Sequence, residues 1–208
     1  YARGAESAGG DLIAGRAAAF YVEKLLVPYP LMGVYPMWEI DPRQIGHYLY
    51  PAGVLLVLGG LWIVRGRIGR GPLAAVAFFL LTLSPILGFV EYSVMDYSYV
   101  HDHHQYLACV GPFALLGASL VRLFKRLPPP LPRWTPAAAG LLLAIPLIVL
   151  SRQQSRLYKN IETYFSHNLA VNPKAWPALL GLGVVHLERG DWDQAFRLHQ
   201  EALKLKPN

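Results

Sequence analysis

The sequence predicts an all-α fold: a polytopic membrane helix bundle of about four spans plus an N-terminal interfacial helix, followed by a pair of packed helices. Three observations point to this class. Of the 208 residues, 54% are hydrophobic and only 15% are charged, which is poor material for a soluble domain. Four stretches are largely apolar over about 16 to 20 residues, roughly the length that crosses a hydrocarbon core. The loops between them carry basic charge on one side only. The predicted spans are residues 48–64, 73–90, 106–124 and 135–150.

The basic residues predict the orientation of this bundle. They cluster between the first two spans and between the third and fourth, so the positive-inside rule makes those two loops cytoplasmic. The segment before the first span, the loop between spans two and three, and everything after Leu150 then face the periplasmic side of a bacterial inner membrane. Topology and lipid headgroups account for the net charge of +6, and no nucleic acid partner is needed. The basic residues are Arg65, Arg67, Arg70, Arg122, Lys125, Arg126 and Arg133.

The first predicted region, residues 1–47, lies on the outer face. Residues 1–10 are small and polar and predict a frayed end. Apolar and charged residues alternate at helical spacing from Asp11 to Leu26, which predicts an amphipathic helix that lies along the bilayer surface or lines a cavity. The segment 29–47 is rich in aromatic residues and prolines, a composition that suits the headgroup boundary.

The spans and the connector after them carry several local signals. Ser84 and Pro85 in the second span and Pro146 in the fourth predict bends, because proline releases a backbone carbonyl. The single cysteine, Cys109, lies in a predicted span, so no intrachain disulfide can form. Residues 151–175 begin with a polar run, which predicts that the last span continues outward as a helical connector.

The last predicted region, residues 176–208, fits one tetratricopeptide repeat of about 34 residues. Gly190 and Asp191 supply the turn between its two helices, and small residues allow the helices to touch. His186 and His199 depart from the pattern, which usually has an aromatic residue at those positions. Residues 157–173 resemble a degenerate half-repeat that caps the stack of repeats. Because one repeat cannot bury its own apolar face, more repeats are expected after Asn208. The positions that match the pattern are Leu179, Leu182, Gly183, Ala195, Ala202 and Pro207.

The outer loop between spans two and three is the candidate site. Residues 91–106 hold three histidines, three carboxylates and four tyrosines, far denser than a connector needs. Three interpretations compete. His101, Asp102 and His103 are possible ligands for zinc or a similar divalent metal. Alternatively, the polar residues anchor the third span at the membrane boundary. In the third interpretation, the loop is a polar lip over a membrane cavity that handles a charged or sugar-bearing substrate, with Asp102 and His103 as acid/base or hydrogen-bonding groups.

The motifs of this region resemble those of a known enzyme family. The chain is similar, from about Asp11 to Pro207, to the membrane glycosyltransferases that carry tetratricopeptide repeats, bacterial relatives of the protein O-mannosyltransferases. At His101 and His104 the sequence departs from the residues that are usual in the motifs of this family. The motifs that carry the resemblance are Ser84-Pro85-Ile86-Leu87-Gly88, Tyr97-Ser98-Tyr99-Val100, Asp102-His103, Gln105-Tyr106-Leu107-Ala108 and Gly111, joined to the spans and the repeat.

The resemblance implies a C-type glycosyltransferase fold. Such an enzyme takes a sugar, with mannose the usual hexose, from a polyprenyl-phosphate carrier and transfers it to a protein or another acceptor on the non-cytoplasmic side. The catalytic carboxylates of the family are expected in a first outer loop that this chain does not contain, so no catalytic residue is assigned. We expect the chain to be an interior fragment of a longer protein and to be inactive alone.

Several residues are candidates for substrate binding under this interpretation. Arg16 and Lys24 on the surface helix are placed to bind a lipid phosphate, although snorkelling cations would look the same. A groove near Trp192, His186 and His199 is expected to hold an acceptor polypeptide. The rival hypothesis is a non-enzymatic, membrane-anchored tetratricopeptide scaffold for protein-protein interaction. The substrate-binding candidates are Asp102, His103, Gln105, Tyr106, Tyr97, Arg16 and Lys24.

Overall fold

The computed structural model describes residues 2–89, 93–126, 132 and 134–206. Within these ranges the chain forms eight α-helices and three short 3-10 helices, with no β-strand, so the predicted all-α class is confirmed there. The 3-10 helices are Ser84–Ile86, Ser93–Asp96 and Asp102–Gln105. The α-helices are α1 Ala2–Leu26, α2 Ile45–Ile68, α3 Gly71–Leu83, α4 Val110–Arg126, α5 Thr135–Leu157, α6 Ile161–Val171, α7 Trp176–Glu188 and α8 Trp192–Leu205.

The chain divides into two compact units. The bundle unit comprises the described residues of 1–29, 40–91 and 103–149. The hairpin unit comprises those of 30–39, 92–102 and 150–208. The hairpin unit is therefore built from three segments that the charge pattern assigned to one face of the membrane.

Helix α1 packs against α2 in the bundle unit. Its buried face is made mostly of small residues, including Ala14, Ala17 and Ala18. At Gly15, a Cβ atom would lie 2.5 Å from the Pro51 ring, so the two helices touch at this point because glycine has no side chain. The predicted frayed end is wrong, because residues 2–10 belong to the helix. Helix α1 packs against α2 and lines an apolar pocket with it, which is the second of the two alternatives stated for this helix, rather than lying along the bilayer surface.

Two helices, α2 and α5, are long and apolar enough to cross a membrane. At 1.5 Å per residue, their 24 and 23 residues extend about 36 and 35 Å, more than a hydrocarbon core of about 30 Å. None of their residues is buried: Ile63 is 80% exposed and Leu142 is 69% exposed. So large an exposed apolar surface is unfavourable in water and indicates membrane association.

The other two predicted spans are shorter than expected. Helix α3 ends at Leu83 because Pro85 has no N–H to bond the Leu81 carbonyl, and the Ser84 hydroxyl donates to that carbonyl instead at 2.8 Å. The predicted second span, 73–90, is therefore not one continuous α-helix: the 3-10 helix Ser84–Ile86 follows α3. Helix α4 begins at Val110, not Tyr106, because the preceding residues form turns, and it has 17 residues. By length and composition, the described helices include two candidate spans rather than four.

Helix α5 continues to Leu157, as predicted from the polar run that follows the last span. In the hairpin unit, α6 packs against α7 and α7 packs against α8. Arg189, Gly190 and Asp191 connect α7 to α8, and Gly190 adopts a φ of 78° that favours glycine. The Asp191 carboxylate caps α8 by accepting a hydrogen bond from the Gln194 N–H at 3.4 Å.

The α7–α8 hairpin confirms the predicted helix pair and its turn. Leu179, Leu182, Ala195 and Ala202, four of the positions named from the sequence pattern, are buried. At Gly183, a Cβ atom would lie 2.7 Å from the His199 imidazole, so the small residue makes room for the histidine that departs from the pattern. Pro207, the last residue of the predicted pattern, lies outside the described residues.

Candidate functional site

Asn168, in the middle of α6, fixes the loop formed by residues 30–39. Its side-chain oxygen accepts hydrogen bonds from the N–H groups of Gly33 at 2.9 Å and Val34 at 3.0 Å. Its amide nitrogen donates to the Tyr164 carbonyl at 2.8 Å. The side chain is 1% exposed, so one buried residue binds two backbone N–H groups of the loop and one carbonyl of its own helix.

Further contacts support the same loop. The Asn172 amide donates to the Val34 carbonyl at 3.3 Å, and the Gln154 amide donates to the Leu31 carbonyl at 3.3 Å. Gly33 lies against the Tyr164 hydroxyl so closely that any side chain would overlap it. Val34 itself is buried in a small apolar core, whose other members are Ala175, Ala178, Tyr97, Phe165 and Leu169.

Tyr35 connects this loop to the candidate site. Its hydroxyl donates to Oδ1 of Asp102 at 2.7 Å and accepts from the Met32 N–H at 3.2 Å. The Tyr35 side chain is 4% exposed, whereas Asp102 is half-buried. A carboxylate held by a short hydrogen bond from a buried phenol has a fixed orientation, which is what an acceptor of sugar hydroxyl hydrogen bonds requires.

Tyr97 packs inside the hairpin unit. Its ring meets the rings of His101 and Trp176 edge-on, each with centroids 5.8 Å apart. Lys206 lies over the Trp176 ring at 5.4 Å and forms an ion pair with Asp96 at 2.6 Å. Tyr97 thus contributes to packing between the loop of residues 93–102 and the α7–α8 hairpin, a role that the sequence analysis did not separate from substrate binding.

Two tyrosines of this unit, Tyr99 and Tyr164, have a raised pKa. Burial raises the pKa of the Tyr99 hydroxyl above its ordinary value, and the same cause, followed by nearby Tyr158, raises that of Tyr164. Both hydroxyls are therefore neutral hydrogen-bonding groups at physiological pH and not candidates for a base.

His103, Gln105 and Tyr106 belong to the bundle unit. His103 and Tyr106 are exposed, Tyr106 by 74%, while Gln105 is buried. The imidazoles of His103 and His104 lie edge-on with centroids 4.3 Å apart. Burial and, secondarily, the neighbouring His103 lower the pKa of His104, so His104 is neutral at pH 7.

The two basic candidates lie on α1 in the bundle unit. The Arg16 guanidinium is 5.9 Å from the centre of the Tyr50 ring. Lys24 is only 5% exposed; its ammonium donates to the Tyr29 carbonyl at 3.3 Å and lies 3.6 Å from the Glu23 carboxylate. Lys24 is therefore in the protein interior, where it stabilises the end of α1, whose last-turn carbonyls favour a cation.

The described residues offer no ready metal centre. Within ranges 2–89, 93–126 and 134–206, no group of three or more His, Cys, Asp or Glu side chains is arranged to hold a metal ion. Asp102 instead binds Tyr35, and the His101 ring packs against Tyr97. Glu91, a carboxylate of the predicted cluster, lies outside the described residues.

The α7–α8 hairpin uses two of its predicted groove residues internally. His186 Nδ1 lies 3.0 Å from the Asp191 carboxylate, and His199 packs on Gly183. Trp192 is 68% exposed and shares one face of α8 with two further exposed apolar residues at helical spacing, Phe196 and Leu203. The hairpin therefore presents an apolar stripe, defined by Trp192, Phe196 and Leu203.

Sequence reasoning missed Asn168, Asn172 and the role of Tyr35. One signal was present: an asparagine in the interior of a predicted helix is unfavourable unless its side chain has a partner. The seven predicted binding residues are divided, with Asp102 and Tyr97 in the hairpin unit and the other five in the bundle unit. Comparison of the chain with protein-family models, curated proteins and solved structures finds no match.

Proposed function

We propose that the chain is part of an integral-membrane glycosyltransferase that moves a hexose, mannose being the expected one, from a polyprenyl-phosphate donor to a protein or other acceptor. Transfer takes place on the non-cytoplasmic face. The sequence motifs described above support the family. The structural observation that carries the proposal is that residues 30–39, residues 93–102 and helices α6 to α8 belong to one compact unit.

The connectivity of the hairpin unit supports a four-span topology. The chain leaves this unit after residue 39, is within it again at residues 92–102, and returns to it at residue 150. The first excursion contains α2, which is long and apolar enough to span, and the second contains residues 135–149 of α5, whose last residues belong to the hairpin unit. An excursion that starts and ends on one side of a membrane crosses it an even number of times, so each excursion needs a second crossing.

Helices α3 and α4 are the candidates for these second crossings. The apolar stretch Gly71–Ile86 extends about 25 Å, at 1.5 Å per α-helical residue and 2.0 Å per 3-10 residue. Helix α4, with 17 residues, extends about 25 Å as well. Each is about 5 Å shorter than a typical hydrocarbon core, a mismatch that local thinning of the bilayer accommodates. The bundle thus has four spans in this proposal, and its basic residues lie at the cytoplasmic ends.

Asp102 is the group that we assign to substrate. A carboxylate accepts hydrogen bonds from sugar hydroxyls, and Tyr35 holds one of its oxygens in place. His103, the next residue, is exposed and contributes a hydrogen bond or a proton.

Sugar transfer by the full-length protein tests this function. Native membrane vesicles carrying wild-type or variant protein receive radiolabelled polyprenyl-phosphate hexose, and label in the protein fraction is counted. We expect Asp102→Asn to lower kcat about tenfold or more and His103→Ala to lower it less, because the positioned carboxylate contacts the sugar directly. Asp96→Asn is the control, since Asp96 is an exposed residue of the same loop that pairs with Lys206. Wild-type activity in both Asp102→Asn and His103→Ala would remove the loop from the reaction.

A second function is favoured by the apolar stripe on α8. Exposed aromatic residues on a helical hairpin are typical of protein-binding surfaces, so the scaffold hypothesis keeps a specific surface: Trp192, Phe196 and Leu203. The same assay separates the two functions. A scaffold transfers no hexose in wild-type vesicles, whereas a transferase does so and loses activity with Asp102→Asn.

A further inference from the structure

The strongest unexplained feature is the burial of Asn168 between two parts of the hairpin unit. An asparagine at 1% exposure inside a helix is costly unless its oxygen and its amide are both satisfied. Here they are satisfied by the loop of residues 30–39 on one side and by the backbone of α6 on the other. A leucine has the same branched arrangement of side-chain heavy atoms, so shape alone does not require an amide at this position.

The contacts of Asn168 lead directly to Asp102. Its oxygen binds two consecutive N–H groups, of Gly33 and Val34, and thereby fixes the backbone immediately before Tyr35. The Tyr35 hydroxyl in turn donates to Asp102 at 2.7 Å. Every atom in this path lies in the hairpin unit, and the side chains of Asn168, Val34 and Tyr35 are all buried.

We propose that Asn168 is a positioning residue for the Asp102 carboxylate and acts through Tyr35. Helix α6 then contributes to the substrate site indirectly, through the loop that holds Tyr35. This inference rests on the proposed function, in which Asp102 contacts the sugar. It adds that the geometry of that contact is set by an amide 66 positions further along the chain.

Hydrogen exchange of the full-length protein in lipid nanodiscs tests the path without substrate. We expect Asn168→Leu to raise exchange rates about tenfold or more both in residues 33–35 and in residues 99–102, because the loop and then Tyr35 lose their anchor. Tyr35→Phe should raise the rates in residues 99–102 but leave residues 33–35 as in wild type. Ser166→Leu is the control: Ser166 is exposed on the same helix, and its replacement should change neither segment.

Kinetics then distinguish positioning from general structural support. Asn168→Leu and Tyr35→Phe should each lower kcat about tenfold, with KM for the lipid-linked hexose within about twofold of wild type. The double variant should be no slower than Asn168→Leu alone, since both substitutions interrupt one path. Asn168→Asp keeps an oxygen for the two N–H groups and, when its carboxyl is protonated, a donor for the Tyr164 carbonyl, so it should retain more of kcat than Asn168→Leu, which also guards against a leucine variant that fails to fold.

Two results would overturn the inference. Exchange in residues 99–102 that is unchanged by Asn168→Leu would show that Asp102 is held independently of α6. Rate losses that multiply in the double variant would show two separate roles. Failure of the proposed function looks different: Asp102→Asn then transfers hexose as fast as wild type, while the exchange pattern still reports whether Asn168 orders Asp102.

Discussion

At the scale of single residues, side-chain hydrogen bonds fix one conformation of the loop of residues 30–39 in the hairpin unit. Its apolar core has few fully buried members, of which Val34, Ala175 and Ala178 form one cluster. Around this cluster, Asn168 and Tyr35 each satisfy buried backbone or carboxylate groups at defined distances. Since leaving such a group without a partner costs about 1–3 kcal/mol, each of these side chains helps to select one loop conformation.

Lowering the pH should weaken another side-chain contact of the hairpin unit, the ion pair between Arg189 and Glu162. The Arg189 guanidinium binds both oxygens of Glu162, at 2.9 and 2.5 Å, and its hydrogen bonds are the largest cause of the lowered pKa of that carboxyl. A carboxyl whose pKa is lower in the folded than in the unfolded state contributes stability above its ordinary pKa of 4.5 and loses it as pH falls further. Arg189→Gln should therefore lower stability at pH 7 but not at about pH 3.

The check is the urea midpoint of the hairpin unit, read by proteolysis in wild type and in Arg189→Gln at the two pH values. Both side chains are exposed, so the difference is small even at pH 7. Arg197→Gln, an exposed arginine on α8, is the matched control and should show no pH-dependent difference. An equal difference at both pH values would contradict the assignment to Glu162.

At the scale of elements, the sequence predicted correctly those features that residues within a few positions determine. The hairpin turn was predicted correctly because Gly190 supplies its positive φ and Asp191 caps the following helix within a few residues. The predicted second span extended past the end of α3, where Pro85 has no N–H to donate and the Ser84 hydroxyl takes the released carbonyl. A hydropathy pattern does not show where such an α-helix ends.

Helix capping gives a prediction at this scale. The Asn160 side chain accepts a hydrogen bond from the Thr163 N–H at 2.7 Å and begins α6, whereas Gln44, before α2, makes no side-chain capping bond. Asn160→Ala should therefore destabilise α6 by about 1 kcal/mol. Gln44→Ala is the control and should leave the protection of α2 unchanged. Hydrogen exchange of the first turn of each helix measures both, and equal protection of α6 in wild type and Asn160→Ala would contradict the capping role.

At the scale of the whole molecule, the candidate site depends on contacts that sequence reasoning could not reach. Gly33 and Asn168 are 135 positions apart, and Tyr35 and Asp102 are 67 apart. The individual residues carry hints, such as an aromatic loop and an asparagine within a helix, but no spacing rule pairs them. Three of the segments that the charge pattern assigned to the outer face, 30–39, 93–102 and 150–206, belong to one unit, whereas residues 2–29, 40–47 and 103–105 of the same assignment belong to the other. The charge pattern therefore indicates neither which of these segments pack together nor which atoms bind.

Topology is the prediction that belongs to this scale. After Cys109→Ser removes the single cysteine, one cysteine is introduced at a time and labelled in intact cells with a membrane-impermeant maleimide. We expect labelling at Met37→Cys and Ser166→Cys, which are exposed positions of the hairpin unit. Arg67→Cys and Lys125→Cys, at the basic ends, should react only after permeabilisation. Labelling of Ser166→Cys only in permeabilised cells would reverse the orientation and remove the non-cytoplasmic reaction.

The pairing of Gly33 with Asn168 also bears on biogenesis. The loop that Asn168 holds is synthesised before all four proposed spans, and Asn168 leaves the ribosome only after them. The amide can reach its partners only when the intervening chain has crossed the membrane an even number of times, because one missing crossing would leave the two segments in different compartments. Closure of this long contact therefore reports an even number of crossings, and a chain that lacks one crossing would expose an unpaired asparagine and a loose aromatic loop to quality-control proteases.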